Sequence, residues 1–130
     1  MQLKGFASLL VMAFHSAIAC DCGEPQSLES RYGRADAVAI VRVQSATLDH
    51  DNVNGIGDVI EMLKGTPVAT IPLKAGSPAS DCWVPVDVGR RYLVFYFTEY
   101  RAAWFSPCEK PIPEQEVPEG ILKKWRHPGA

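Results

Sequence analysis

Cys20, Asp21 and Cys22 form a Cys-x-Cys motif directly behind a segment built like a cleavable export signal. Lys4 gives that segment a positive start, residues 6–14 supply an apolar run, and Ala17-Ile18-Ala19 is the small-x-small site that signal peptidase accepts. Residues 1–19 are therefore read as a signal peptide and residues 20–130 as one exported domain. Cleavage after Ala19 leaves a cysteine as residue one, with its α-amine and its own carbonyl oxygen side by side. A disulfide on that same residue would hold both groups still. The apolar run is too short to span a bilayer, and no later stretch is long enough to do so, so no transmembrane segment is expected. A lipid anchor on Cys20 is the competing reading. Against it, Ala17 stands where lipoprotein signals usually carry leucine, and acylation would leave an odd number among Cys22, Cys82 and Cys108.

Taking the first 19 of 130 residues away leaves 111, enough for one core and too few for two. Of 13 basic and 15 acidic side chains only Lys4 precedes Cys20, so the exported part has a formal charge of −3. Its basic residues are scattered apart from Lys123, Lys124 and Arg126, a set that suits a helix C-terminus, and nucleic acid is not an expected partner. All four cysteines lie in the exported part, which favours two disulfides in an oxidising compartment, secreted or periplasmic. Four cysteines allow three pairings. A Cys20 to Cys22 bridge would close a strained ring across an extended strand, so each is expected to reach a distant cysteine, and spacing alone does not choose which.

Residues 27–34 open with a capping serine, carry a glutamate early and arginines late, and predict a short helix. Residues 37–46 are rich in Val and Ile and predict a strand. Residues 49–57, with an Asn54-Gly55 turn signal, predict a loop, and residues 58–64 a second strand pairing back. Residues 68–74 predict a third strand, placed at a sheet edge by Pro72. Residues 75–81 are turn-rich. Residues 91–98 are dense in aromatic and β-branched side chains and give the strongest strand, with 102–106 a last short one. After Pro111 and Pro113, residues 118–125 predict a short helix turning Ile121, Leu122 and Trp125 inward. The expectation is a mainly β protein: a five-stranded OB-fold-like barrel with one short N-terminal and one short C-terminal helix.

Catalytic signals are weak. His15, His50 and His127 show no metal-ligand spacing, no Gly-x-Ser-x-Gly turn accompanies the available Ser, His and Asp residues, and Cys82-Trp83 lacks a Cys-x-x-Cys partner. No enzyme activity and no cofactor are expected. The aromatic series Tyr92, Phe95, Tyr96, Phe97, Tyr100, Trp104 and Phe105 is divided by strand alternation between core and surface.

Cys-x-Cys at a mature N-terminus, Ala-Asp-Ala-Val-Ala-Ile-Val-Arg-Val at 35–43, Val-Ile-Glu-Met-Leu-Lys-Gly at 59–65, Cys82, Val-Gly-Arg-Arg-Tyr-Leu-Val-Phe at 88–95 and Cys108 together resemble the N-terminal, netrin-like domain of tissue inhibitors of metalloproteinases. The resemblance implies an OB-fold barrel with Cys20 bridged to Cys82 and Cys22 to Cys108. It also implies a binding ridge at Cys20, Asp21, Cys22 and Gly23. There the Cys20 α-amine and carbonyl would chelate the zinc of a partner metalloprotease, and Asp21 would enter that enzyme's specificity pocket. The partner is thus a protein, and the domain itself is expected to be a monomer holding no metal of its own. A structural or adhesive envelope module with the same barrel and no inhibitory action is the alternative. Acidic composition and the lack of an Asn-x-Ser/Thr acceptor fit a bacterial source.

Overall fold

A computed structural model describes residues 20–127 of the chain. The expected signal segment, residues 1–19, lies outside the described residues. Helix α1 (Leu28–Arg34) leads into strands β1 (Ala37–Asp49), β2 (Asn52–Lys64), β3 (Thr70–Ala75), β4 (Arg91–Phe97) and β5 (Ala102–Phe105). The two-residue β6 (Ile112–Pro113) and helix α2 (Glu119–Arg126) complete the order. The ladder runs β1-β2-β3-β5-β4 and closes through a β1–β4 pairing, with β3 and β5 parallel. This is the five-stranded barrel with two short helices that the sequence predicts, and β6 merely continues the β4 edge beyond it.

The near-continuous apolar start of β1 follows from burial on both faces. Ala39, Val41 and Val43 point into the barrel with Ile71, Leu73, Tyr92, Val94 and Phe105, whereas Val38 and Ile40 point outward under the helices with Leu93, Phe95, Leu122 and Trp125. Beyond Val43 the outer cover ends, and β1 becomes progressively exposed. Two cores, one inside the barrel and one between barrel and helices, therefore share strands β1 and β4.

Helix α1 starts where predicted because the Ser27 hydroxyl accepts a hydrogen bond from the Ser30 N–H at 3.1 Å, with Glu29 in the first turn and Arg34 in the last. Helix α2 buries Leu122 and Trp125, three residues apart on one face, with Ile121 half-buried beside them. Two members of its basic cluster are engaged: Lys124 pairs with Glu29 at 2.8 Å and Arg126 with Glu61 at 2.6 Å.

Two expectations change. The hairpin does not turn at Asn54-Gly55; it turns at His50-Asp51, where His50 takes a left-handed φ of 54°, and residues expected to be a loop extend β2 to thirteen residues. Gly55 serves a different purpose. Gly55 pairs with Ala46, just past the β1 irregularity between Val43 and Ser45, and a Cβ on it would lie 2.5 Å from the Ser45 carbonyl oxygen, so only glycine lets the two strands approach this closely. Gly55→Ala is expected to destabilise the fold by about 1–3 kcal/mol despite alanine's ordinary preference over glycine in strands, as measured by urea denaturation. Pro72, read as an edge marker, lies in a strand with neighbours on both sides. The parallel ladder to β5 begins only at Leu73, so the proline falls just outside it and removes no bond from that ladder.

Candidate functional site

Strands β3 and β5 run parallel and end together, Ala75 opposite Phe105, which sets both of their exits at one end of the barrel. Seven residues beyond Ala75 comes Cys82, and three beyond Phe105 comes Cys108. The disulfides Cys20–Cys82 and Cys22–Cys108 tie residues 20–22 to these two exits, with Cα separations of 5.6 Å and 5.0 Å. Two bridges so placed suit an oxidising compartment.

Local turns fix the anchors. The Cys82 N–H donates to the Ser80 hydroxyl at 3.1 Å, and the Cys108 N–H donates to the Ser106 hydroxyl at 3.3 Å. After Cys82 the chain alternates, with Val84 and Val86 packed against the interior core as a plug while Trp83, Pro85 and Val88 face out. Backbone bonds from Gly89 N–H to Val43 O at 2.8 Å and from Val43 N–H to Arg90 O at 3.0 Å stitch this loop to β1. The segment that follows Cys82 is thereby held against the barrel.

On this base lies the ridge. Cys20 is half-buried, whereas Asp21, Cys22 and Gly23 are exposed. The Asp21 carboxylate accepts a hydrogen bond from the Gly23 N–H at 3.2 Å, closing a small turn in which Gly23 takes φ 65°. Trp83, 41% exposed, adds an apolar surface next to the first bridge. A backbone fixed at Cys20 and Cys22, with polar and apolar surface beside it, can present its groups to a partner with little further ordering.

Among the described residues no group of three or more His, Cys, Asp or Glu could hold a metal ion, and no helix is long and apolar enough to cross a membrane. His50 is at the exposed hairpin tip and His127 at the end of α2.

A concavity opens on the barrel wall. A cleft of about 680 Å³ lies between α1 and the outer face of β4 and β5, running to the Cys22–Cys108 bridge. The outward members of the aromatic series, Phe95, Phe97, Tyr100 and Trp104, meet there, while Tyr92 and Phe105 pack edge to face inside the barrel at 5.1 Å. Tyr100 is placed by the turn at Thr98–Tyr100, whose first N–H donates to the Asp36 carboxylate at 2.7 Å; that bond holds the Asp36 pKa below the usual carboxylate range.

The residue that sequence reasoning missed is Arg31. Its side chain is buried, with its guanidinium 4.1 Å from the Phe95 ring centre, and desolvation lowers its pKa from the usual guanidinium value, offset in part by Glu109. A signal existed: Leu28, Arg31, Tyr32 and Ala35 fall at helical spacing on one face, which places the arginine on the buried side. Compared with known proteins, the chain matches no protein-family model and no curated protein.

Proposed function

We propose that this protein is a non-enzymatic, protein-binding domain, secreted or periplasmic, that inhibits a zinc metalloprotease through the backbone of residue 20. The observation that carries this reading is the double tether: Cys20 and Cys22 are each bridged to a rigid exit of the barrel, leaving Asp21 to Gly23 exposed. Cleavage after Ala19 turns the Cys20 nitrogen into a free amine next to its own carbonyl oxygen. Catalytic zinc keeps one coordination position open for water or substrate, and an amine and carbonyl already locked in place can take it with small entropic loss. No cofactor enters this function, and the metal belongs to the partner.

Asp21 favours a second reading, the structural or adhesive envelope module. Its carboxylate is solvated and bonded to the Gly23 N–H, and burying it unpaired in a largely apolar specificity pocket costs several kcal/mol. One experiment separates the two. The processed protein, the same protein with one extra N-terminal residue, and its Asp21→Thr variant are titrated against a panel of zinc metalloproteases. Chelation requires inhibition that the extension abolishes and that Asp21→Thr strengthens by about tenfold or more, as relief of a buried charge demands. Absence of inhibition in both the processed and the Asp21→Thr proteins, or inhibition indifferent to the extension, leaves the envelope module standing.

A further inference from the structure

We infer that the cleft between α1 and the outer face of β4 and β5 is a binding site for a monoanionic carboxylate carried on an aromatic or bulky apolar body. It adjoins the ridge at the Cys22–Cys108 bridge but is independent of any zinc chemistry.

The argument starts from Arg31. The residue is 7% exposed and lines the cleft, its Nε is buried without a hydrogen-bond partner among the described residues, and no carboxylate among them forms an ion pair with it. A buried charge without a counterion is expensive, and an aromatic face recovers only a part of the hydration lost. The nearest compensation comes from the field of Glu109, but that carboxylate is already bound by Arg34 across the mouth of the cleft. An incoming anion would supply what the fold itself withholds. A guanidinium fork is well matched to a carboxylate, and stacking on Phe95 fixes its plane in advance.

The remaining walls define the body of the ligand. Phe97 and Tyr100 stand edge to face at 6.0 Å and form a preset rim, with Trp104 beside them; Tyr100 is 54% and Trp104 39% exposed, unusual for rings that have no partner to cover them. The volume is in the range of small-molecule sites. Charge sets the limit on the anion. Glu99 and Glu109 line the same cleft and balance Arg31 and Arg34, so a dianionic phosphate gains little net attraction over a carboxylate while losing more hydration. Two sources share this chemistry: a free aryl-alkanoic acid, or the C-terminal carboxylate of a peptide ending in an apolar residue.

The test uses the purified, disulfide-bonded protein with four probes: 3-phenylpropionate, its neutral amide, phenyl phosphate, and acetyl-Gly-Phe as the free acid. Binding is read by NMR shifts of the Trp104 indole and Tyr100 ring together with Trp fluorescence. Both carboxylates are expected to give saturable shifts, with the amide and the phosphate weaker by about tenfold or more, the usual worth of a charge-assisted bond. Arg31→Lys, which keeps the charge and loses the fork, should weaken the carboxylates by about fivefold or more. Because Arg31 is buried and its replacement can disturb the fold, Trp104→Ala provides a second variant at a half-exposed position, with a loss of similar size expected and an unchanged far-UV spectrum. Stronger binding of the acetylated dipeptide assigns a peptide terminus, and stronger binding of the free acid assigns a small molecule; either upholds the site. No saturable shift with either carboxylate, equal binding of the amide, tighter binding of the phosphate, or indifference to Trp104→Ala would overturn it.

Discussion

Replacing both Cys22 and Cys108 by serine is expected to lower stability by about 3–4 kcal/mol, and replacing all four cysteines by about 8 kcal/mol, more than the two single-bridge losses combined. The reason is the interlocking of the two loops. Taken alone, the bridges span 62 and 86 residues, each worth about 4–5 kcal/mol of denatured-chain entropy. With one bridge intact, however, the ends of the other are already joined through a path of about 28 residues, two near the N-terminus and the stretch from Cys82 to Cys108, so the second closure restricts less. The shortcut is the same for both bridges, and each therefore falls to the same reduced value. Urea denaturation of the two double-serine variants and the four-serine variant checks this. The sign of the coupling is decisive: the second bridge lost should cost about 1 kcal/mol more than the first, and a second loss smaller than the first would contradict the interlocked-loop account. A loss of about 8 kcal/mol is comparable to the whole stability of a typical domain, about 5–15 kcal/mol, so the four-serine protein is expected to have a much lower melting temperature than the bridged one.

The parts of the fold most legible in sequence are those where burial and local chemistry agree. Strand β1 near its start and strand β4 at its centre are buried on both faces, and their unbroken apolar runs say so. Helix α1 carries its own capping serine and charge order, and α2 shows its inward face through Leu122 and Trp125. The hairpin is illegible for a physical reason: Asn54-Gly55 satisfies the rule for a tight turn, but the glycine is needed for close approach to Ser45, while the turn itself falls at His50-Asp51, a pair with weaker local preference. Pro72 misleads in the same way, since its tolerance depends on where a strand thirty residues later begins to pair.

The candidate site divides likewise. That Cys20 and Cys22 must reach distant partners follows from their spacing. That Cys82 and Cys108 both lie within reach depends on the parallel pairing of β3 with β5, a long-range fact that no local pattern encodes; it is what gathers them at one end of the barrel. Alternation along β4 correctly divides the aromatic residues into inner and outer sets. It does not reveal that the outer set shares its space with a guanidinium, because late arginines in a helix are ordinarily read as partners of the macrodipole. Arg31 is buried only because α1 lies across Phe95.

Trp125→Ala should reduce stability by about 3–5 kcal/mol, the cost of a large cavity at a position that cannot collapse. Trp125 is 5% exposed at the meeting point of α2, α1 and β4. Its ring stacks on Tyr32 at 4.5 Å and meets the edge of Phe95 at 6.4 Å, and Tyr32 in turn donates from its hydroxyl to the Leu63 carbonyl at 3.2 Å. Truncation thus removes two aromatic contacts, each worth about 0.5–1.5 kcal/mol beyond buried area, together with the main anchor of an eight-residue helix too short to persist undocked. Trp125→Phe keeps a ring against both partners and should recover more than half of the loss. The same position bears on the cleft, because the Phe95 ring contacts both Trp125 and the Arg31 guanidinium. In Trp125→Ala, Phe95 gains freedom and Arg31 loses its fixed plane, so carboxylate affinity should fall along with stability, whereas truncation of Phe105 inside the barrel should lower stability and leave the affinity of the folded fraction unchanged. Denaturation curves and the same NMR titrations distinguish the two. Equal effects of both truncations on binding would show that the cleft senses global stability rather than the aromatic contact that ties it to α2.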